Sequence, residues 1–212
     1  PLVKLWRRAF RQRRLPDPEQ LDQARQLVDY RALHVDVAAR SVELARPGML
    51  LDLGGIAKGY ACDQAHRLLK ERGIKHTLIA AAGDIVATGP PPGSRGWRVG
   101  IAALEDPAAS APERVLLVQH AAVSTSGDTE RFAVIDGQRY SHIVDPRTGL
   151  GKNERASVTV VAPDGTTADS LATSIYLLGP ERGFALADGT PGVAALYVRK
   201  TDEGIRQWTS KR

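Results

Sequence analysis

The sequence has little cysteine and no long hydrophobic run. Cys62 is the one cysteine among 212 residues, and a single cysteine excludes an internal disulfide and a cysteine-rich metal site. No stretch approaches the roughly 18 apolar residues of a membrane-spanning helix. Charge of one sign is not in large excess either, because 29 basic residues face 24 acidic ones for a net charge of +5. So mild an excess does not by itself indicate a nucleic-acid partner.

Residues 1–14 combine apolar residues at near-helical spacing with a run of basic residues. The apolar residues are Leu2, Leu5, Trp6 and Phe10, and the basic ones are Lys4, Arg7, Arg8, Arg11, Arg13 and Arg14. We favour a helix with one packed face and one solvated basic face over the alternative, an arm that binds nucleic acid. The chain starts at Pro1, and we expect further sequence to precede it.

Helical periodicity and capping residues predict four further helices. They are expected at about Pro18–Asp29 with Asp17 as N-cap, Ile56–Glu71 with Gly73 at the C-terminal cap, Thr167–Leu178 and Glu181–Ala187. Alternating apolar residues between turn signals predict strands. They are expected at Leu33–Val37, Ser41–Leu44, Met49–Leu51, 76–87 with an interruption at Gly83–Asp84, 97–102, Val115–His120, Ala121–Thr125, Phe132–Ile135, Gln138–Val144, Ser157–Val161, Val193–Val198 and Ile205–Thr209. Pro47–Gly48 predicts a turn, and 89–96 and 106–112 predict loops.

The order of these elements indicates the fold class. Strands and helices do not alternate regularly, so we expect an α+β fold with a mixed β-sheet and packed helices rather than a Rossmann arrangement. The chain is long enough for one sizeable domain or two small ones. We expect a single domain over residues 1–212.

A Gly-Gly turn leads from a strand end into the second of the four predicted helices. Asp52 precedes Gly54 and Gly55, and Lys58 follows in the first helical turn. Such a turn exposes backbone N–H groups that suit a phosphate. A lysine here opposes the helix dipole, so a phosphate or carboxylate partner would explain it better than local stability does. The alternative is a plain turn with a solvated lysine.

Asp169 and Thr173 lie four residues apart on a predicted helix, so their oxygens share one face. A carboxylate and a hydroxyl, completed by main-chain carbonyls and phosphate oxygens, suit a hard cation such as Mg²⁺. The alternative is a capping box that runs from Thr166 to Asp169.

A hairpin is predicted around Asp136–Gly137, a pair typical of a type I′ turn. Counting outward from this turn places Arg131 opposite His142. A guanidinium there would disfavour protonation of His142 and keep it available as a base. A histidine packed within a sheet is the alternative. The turn that follows, from Asp145 to Gly149, would project Asp145 or Thr148 into a cleft, and we include Asp145 with His142 as candidate catalytic residues.

The segment VSTSGD, residues 123–128, places small hydroxyl residues at the end of a strand. This composition can line a phosphate or ribose pocket, and Ser126 is the candidate within it. It is equally suited to an ordinary turn.

Taken together, the segments LDLGGIAKGYACD, AAGDIVATGPPPGSRGWRVGI, AVSTSGDTERF, YSHIVDPRTG and SVTVVAPDGTTADSLATSIYLLG resemble the core of the ApbE family, the FAD:protein FMN transferases. The resemblance covers nearly all of residues 1–180 and extends to PLVKLW. It implies that the chain is the C-terminal two-thirds of an ApbE-like fold, which lacks an N-terminal part that carries flavin and adenine contacts.

The resemblance also implies roles for individual residues. Asp169 and Thr173 match magnesium ligands, and Gly55 matches a position that adds a main-chain carbonyl oxygen. Asp52, Lys58 and Ile143 match FAD-contacting positions, and we include Gly54 and Ser126 with them as candidate cofactor-binding residues. His142 matches a proposed base.

The implied reaction is Mg²⁺-dependent transfer of FMN from FAD onto a threonine or serine hydroxyl of a target protein, with release of AMP. The alternatives are an FAD pyrophosphatase, which gives FMN and AMP, and a non-catalytic flavin-binding fragment. The expected partners are FAD and the acceptor protein, and no nucleic acid is expected. The resemblance further implies the bacterial periplasm, with membrane contact only through an N-terminal anchor that precedes this sequence.

Overall fold

The computed structural model describes residues 1–105, 114–129 and 131–211. The chain divides into two compact units. We call them the hairpin unit, Pro1–Asp52 with Arg131–Asn153, and the sheet unit, Leu53–Glu130 with Glu154–Arg212. The expectation of one domain over residues 1–212 stays a prediction. The loop predicted at 106–112 lies outside the described residues.

The described residues form five α-helices and twelve strands. The helices are α1 (Leu2–Gln12), α2 (Pro18–Gln26), α3 (Ala57–Glu71), α4 (Gly165–Leu178) and α5 (Pro180–Asp188). The strands are β1 (Leu33–Asp36), β2 (Ser41–Leu44), β3 (Leu78–Ala81), β4 (Asp84–Ala87), β5 (Trp97–Ile101), β6 (Arg114–Val118), β7 (Ala121–Gly127), β8 (Phe132–Ile135), β9 (Gln138–Ser141), β10 (Ala156–Ala162), β11 (Ala194–Thr201) and β12 (Gly204–Thr209). Among these ranges, no helix has the length and apolar character needed to cross a membrane.

The hairpin unit is built around the apolar face of α1. Trp6 is almost fully buried beside Ala9, Ala133 and Ile135, and its indole N–H donates to the carbonyl of Ser141 at 3.0 Å. A buried indole needs such an acceptor, because an unpaired N–H away from water is costly. This packing confirms the predicted helix with one buried face, while its basic residues lie exposed.

Two local predictions in this unit are confirmed. Asp17 caps α2 by accepting from the N–H groups of Glu19 and Gln20, both at 3.1 Å. The β8–β9 hairpin turns at Asp136 and Gly137, whose φ values of 50° and 74° are those of a type I′ turn. In each case the signal lies within four residues of the feature that it predicts.

The sheet unit contains a six-stranded sheet in the order β12-β11-β10-β7-β4-β3. Each of these pairings is antiparallel. Helices α3 and α4 pack against this sheet and against each other. The predicted α+β fold, with helices packed on a sheet, is therefore confirmed. Strand β7 lies between β4 and β10, which places its side chains at the centre of the sheet.

Several predicted boundaries are wrong, among them the end of α2, which is Gln26 rather than Asp29. Three others concern strands. Met49–Leu51 forms no strand, and no strand in the described residues pairs with it. The interruption within 76–87 is a turn at Ala82–Gly83, so Asp84 begins β4. Strand β9 ends at Ser141 rather than Val144, because the N–H of Ser141 turns to the carbonyl of Lys152.

Candidate metal and phosphate site

The Gly-Gly turn delivers the chain into α3 in the sheet unit. The N–H groups of Ile56 and Ala57 both donate to the carbonyl of Leu53, at 3.1 and 2.9 Å. Helix α3 then begins at Ala57 with Ile56 as its N-cap and no side-chain cap. The Leu53 carbonyl thus occupies two N–H groups at this helix start, and Asp169 Oδ2 accepts a third, from Gly59, at 3.1 Å. The phosphate contact of this turn stays a prediction.

Lys58 lies between two buried carboxylates in the sheet unit. Its ammonium Nζ is 2.5 Å from Asp84 Oδ2 and 3.3 Å from Asp169 Oδ1. The side chain of Lys58 is 40% exposed, whereas those of Asp84 and Asp169 are 2% and 1% exposed. The expectation that a carboxylate or phosphate accounts for Lys58 is thus met by two carboxylates.

The electrostatics of this cluster depart from those of a simple ion pair. Burial raises the pKa of Asp84, and the nearby charge of Asp169 adds to the rise, although Lys58 and Ser124 donate hydrogen bonds to it. Burial opposes the charge on Lys58, yet the two carboxylates raise its pKa above the usual value. An ion pair alone would lower the pKa of Asp84, so desolvation is the stronger effect there.

The Asp169 carboxylate accepts a backbone hydrogen bond from α3 rather than from the start of its own helix, α4. Its Oδ2 accepts from the N–H of Gly59 at 3.1 Å. The N-cap of α4 is Asp164, whose Oδ1 accepts from the N–H of Thr167 at 2.7 Å. The capping box from Thr166 to Asp169 is therefore wrong, because α4 begins two residues earlier than predicted and Asp169 lies in its second turn.

A second cluster lies one helical turn further along α4. Thr173 Oγ1 and Ser126 Oγ are 3.0 Å apart. A Cβ built on Gly55 would lie 3.6 Å from Thr173 Cγ2 and 3.7 Å from its Oγ1. The sheet unit thus brings Gly55, Ser126 and Thr173 together, as their shared assignment to one site predicted.

The donor set fits a hard cation. In the described ranges no three His, Cys, Asp or Glu side chains group closely enough to hold a metal by themselves. The available donors are the Asp169 carboxylate, the Thr173 hydroxyl and the main chain at Gly55, all of them oxygens. Oxygen donors suit Mg²⁺, which usually completes its coordination with water and substrate phosphate. Asp84, Asp169 and Lys58 together carry a net formal charge of −1, which favours a further cation.

The sequence did not single out Asp84 or Ser124 as site residues. Asp84 faces Ser124 across the β4–β7 ladder, and Ser124 Oγ donates to Asp84 Oδ1 at 2.5 Å. Two signals were available for them. A carboxylate directly precedes the apolar run of β4, and Ser124 alternates with Ser126 on one face of β7.

The other candidate residues belong to the hairpin unit. Asp52 forms an ion pair with Arg7, with Arg7 Nη1 to Asp52 Oδ2 at 2.8 Å. His142 lies opposite Arg131 as predicted, but its contact is with the Arg131 carbonyl, which receives the His142 backbone N–H at 3.2 Å and lies 3.1 Å from Nδ1. A carbonyl can only accept, so Nδ1 carries the proton, and in the neutral imidazole the lone pair is on Nε2. Ile143, next in the chain, donates its N–H to Ser141 Oγ at 3.1 Å.

Asp145 is buried and turned toward its own loop rather than projected into a cleft. Arg147 Nε lies 2.9 Å from Asp145 Oδ1, and Arg147 Nη2 lies 2.6 Å from Oδ2. Burial alone would raise the pKa of Asp145, but the hydrogen bonds from Arg147 outweigh it and lower that pKa. The catalytic roles of His142 and Asp145 stay predictions, as do the FAD contacts of Asp52 and Ile143.

The sequence matches known proteins over nearly its whole length. Residues 1–197 match the model of the ApbE family. The chain is 39% identical to the FAD:protein FMN transferase of Treponema pallidum, with 92% of this chain and 58% of that protein aligned. It is 36% identical to an FAD:protein FMN transferase of Klebsiella pneumoniae, with 97% of this chain and 63% of that protein aligned. The chain therefore spans about three-fifths of the length of these relatives.

Solved structures match the fold as well. The flavin transferase ApbE from Vibrio cholerae superposes with a TM-score of 0.84 at 30% identity, covering 100% of this chain and 67% of that one. The apo form of the flavinyl transferase ApbE of Pseudomonas stutzeri gives a TM-score of 0.81 at 32% identity, covering 100% of this chain and 65% of that one. Family model, sequence identity and fold agree, and the chain belongs to the ApbE family.

Proposed function

We propose that this chain carries the metal and pyrophosphate chemistry of an FAD:protein FMN transferase. The observation that supports the proposal most is the cluster of Lys58, Asp84 and Asp169 beside the Gly-Gly turn. Two buried carboxylates around an ammonium, at the start of helix α3, form a charged site that stability alone does not explain. The relatives named FAD:protein FMN transferase supply the substrate and the type of reaction.

The proposed cation is Mg²⁺, held by Asp169, Thr173 and the Gly55 carbonyl. Bound there, it would neutralise the negative charge that develops on the pyrophosphate during phosphoryl transfer. The chain's own groups contribute in the same direction. Lys58 offers an ammonium to phosphate oxygens, and the N-terminus of α3 offers the positive end of its helix dipole.

The acceptor in this proposal is a threonine or serine hydroxyl of a target protein. Its oxygen bonds to the FMN-side phosphorus of FAD, the bond from that phosphorus to the AMP oxygen breaks, and AMP leaves. His142 takes the hydroxyl proton on Nε2, the nitrogen left unprotonated by the contact of Nδ1 with the Arg131 carbonyl. Lys58 and the α3 N-terminus orient the pyrophosphate for this attack.

We test the proposal by incubating the chain with FAD, Mg²⁺ and an acceptor domain that carries a target threonine. Transfer produces AMP and a covalently flavinylated acceptor in equal amounts. Hydrolysis by the pyrophosphatase alternative produces AMP with no labelled acceptor. A folded chain that releases no AMP would support a flavin-binding fragment without catalysis and would overturn the proposal.

Two variants assign the roles within this assay. Asp169→Ala is expected to abolish Mg²⁺-dependent AMP release while the circular dichroism spectrum stays that of the parent, because the proposed metal loses its carboxylate. Full activity in that variant would remove the metal assignment. His142→Ala is expected to slow transfer more than it weakens FAD binding, because a base acts on the step and not on the substrate.

We also propose a location, the bacterial periplasm at the inner membrane, with membrane contact only through an N-terminal anchor. The support is the resemblance to the family alone. Cell fractionation of the native host with an antibody to this chain tests it, and recovery in the cytoplasmic fraction would contradict it.

A further inference from the structure

Asp63 on α3 makes hydrogen bonds to the start of α4. Its Oδ1 accepts from the N–H of Gly165 at 2.7 Å. Its Oδ2 accepts from the N–H of Thr166 at 2.8 Å and from the Thr166 hydroxyl at 2.6 Å. A single side chain therefore binds the first two residues of a helix that begins 102 residues later in the chain.

Helix α4 does not need Asp63 in order to have a cap. Asp164 already supplies one, since its Oδ1 accepts from the N–H of Thr167 at 2.7 Å and its Oδ2 from the Thr167 hydroxyl at 2.9 Å. One carboxylate satisfies the usual N-terminal capping position of a helix. The second carboxylate, from a different helix, fixes the position of α4 relative to α3.

Each of the two helices has an aspartate that accepts backbone N–H groups from the other helix. Asp63 of α3 accepts from the first turn of α4, and Asp169 of α4 accepts from the N–H of Gly59 in the first turn of α3 at 3.1 Å. Between these ties the backbones touch, because a Cβ on Gly59 would lie 2.0 Å from the carbonyl oxygen of Gly165. Hydrogen bonds on both sides of so close a contact fix the position of α4 along α3, which we call the register of the two helices.

This register sets the geometry of the charged cluster. Lys58 precedes Gly59 on α3 and reaches Asp169 on α4, so a shift of α4 along α3 would change the distance from Nζ to Oδ1. We propose that Asp63 is a positioning residue for the proposed cation and phosphate site. It acts by holding α4, which carries Asp169 and Thr173, in register with α3, which carries Lys58. The inference rests on the proposed function for its ligand, a divalent cation with oxygen ligands.

The experiment compares Asp63→Ala and Asp63→Asn with Asp17→Ala in the full chain. Asp17 is the matched control, because it is also a carboxylate that accepts two backbone N–H groups at a helix start, but in the hairpin unit. Two quantities are measured. One is hydrogen exchange of the Gly59 amide by NMR, and the other is Mg²⁺ affinity by calorimetry, with no FAD present.

We expect Asp63→Ala to accelerate exchange of the Gly59 amide at least about 10-fold beyond the change in Asp17→Ala, because its acceptor Asp169 moves. Mg²⁺ affinity should fall on the order of 10-fold, as it does when a residue that orients a metal ligand is lost. Asp63→Asn keeps one acceptor oxygen and should lie between the parent and Asp63→Ala. If Asp63→Ala fails to fold, Asp63→Asn decides the matter.

The positioning role would be overturned if the Gly59 amide exchanged no faster in Asp63→Ala than in Asp17→Ala. Accelerated exchange with parental Mg²⁺ affinity would also overturn it, since the register would then not govern the site. A parent chain that binds no Mg²⁺ would instead overturn the proposed metal, while the amide exchange would still decide whether Asp63 fixes the register. Thr166→Ser, which keeps the hydroxyl, should behave as the parent in both measurements.

Discussion

Each unit contains a buried aspartate with a cationic partner, and the pKa values of these two aspartates are shifted in opposite directions. In the hairpin unit, Asp145 is paired with Arg147, two residues along the same turn, and its pKa is lowered. In the sheet unit, Asp84 is paired with Lys58, 26 residues away, and its pKa is raised. Both side chains are at most 9% exposed. Burial raises the pKa of both carboxyls, but the hydrogen bonds from Arg147 outweigh it at Asp145, whereas those from Lys58 and Ser124 do not outweigh it at Asp84.

Charge stabilises the fold at Asp145 and opposes folding at Asp84. A lowered carboxyl pKa means that the folded state favours the ionised form, so Asp145 contributes stability above its unfolded pKa. A raised pKa means the reverse, so ionised Asp84 opposes folding at neutral pH. Buried carboxylates whose ionised form is unfavourable are typical of functional sites. This contrast favours the sheet unit as the place of the charged chemistry and indicates that Asp145 orders its turn.

The largest expected effect comes from the α3–α4 contact. Gly59→Ala should destabilise the fold by at least about 3 kcal/mol, because its Cβ would meet the Gly165 carbonyl oxygen at 2.0 Å. Gly137→Ala is the matched control in the hairpin unit. Its φ is 74° with nothing within 4 Å of the added Cβ, so it should lose only about 1–2 kcal/mol from backbone strain. Urea unfolding measures both, and equal losses would contradict the close contact.

Asp84→Asn tests whether the carboxylate serves function at the expense of stability. We expect AMP release from FAD to fall on the order of 100-fold or more, because a charge in the preorganised site is lost. The free energy of unfolding at neutral pH should stay level or rise, because an unfavourable buried charge is removed while Lys58 keeps Asp169 as a charged partner. A large loss of stability together with activity would show that Asp84 supports the fold, as Asp145 does.

Asp145→Asn is expected to give the opposite result. The variant should lose about 1–3 kcal/mol of stability, the range for hydrogen bonds to a charged group, because Arg147 loses its carboxylate partner. The midpoint of urea unfolding measures the loss. Arg147→Lys, which keeps the charge but cannot form the two-pronged contact, should recover part of the stability relative to Arg147→Ala.

The smallest effect is the pH dependence of these two variants. For Asp145, the stabilising contribution is present above the unfolded carboxyl pKa of about 3.8 and is lost as pH falls through its lowered folded pKa. Stability of the parent and of Asp145→Asn should therefore converge in acid. For Asp84 the folded pKa is raised above 3.8, so its variant should match the parent in acid and exceed it as pH rises. Unfolding curves from pH 3 to pH 7 would contradict the comparison if both differences had the same sign.

Local signals predicted much of the fold. The Asp17 cap, the Asp136–Gly137 turn and the packed face of α1 follow from residues within a few positions of one another. The Met49–Leu51 strand failed because a strand needs a partner for its backbone, which a short apolar run does not specify. The capping box at Thr166 failed because α4 begins at Gly165 with Asp164 as its cap, and Asp63 of another helix accepts the Thr166 N–H.

In the candidate site as well, local spacing predicted some features, and contacts between distant segments decided the others. Helical spacing placed Asp169 and Thr173 on one face of α4, and the position of Lys58 favoured an anionic partner over a solvated lysine. Nothing in that spacing named Asp84 as the partner, although a carboxylate ahead of a buried strand was a usable signal. Asp63 carries a similar signal, because it shares the buried face of α3 with Gly59 and Cys62 at helical spacing.

The amino-acid sequence was enough to indicate the family, the α+β class, the Asp17 cap, the Asp136–Gly137 turn and residue types that suit a phosphate and a hard cation. The positions of Lys58 between Asp84 and Asp169, of Ser126 beside Thr173 and of Asp63 against α4 became visible only in the packed structure. These two groups of features differ in the range of the interactions that produce them. Caps and turns are settled by backbone conformation and hydrogen bonds over a few residues. The charged cluster depends on burial and on contacts between segments up to 111 residues apart, which exist only once the sheet and helices have packed.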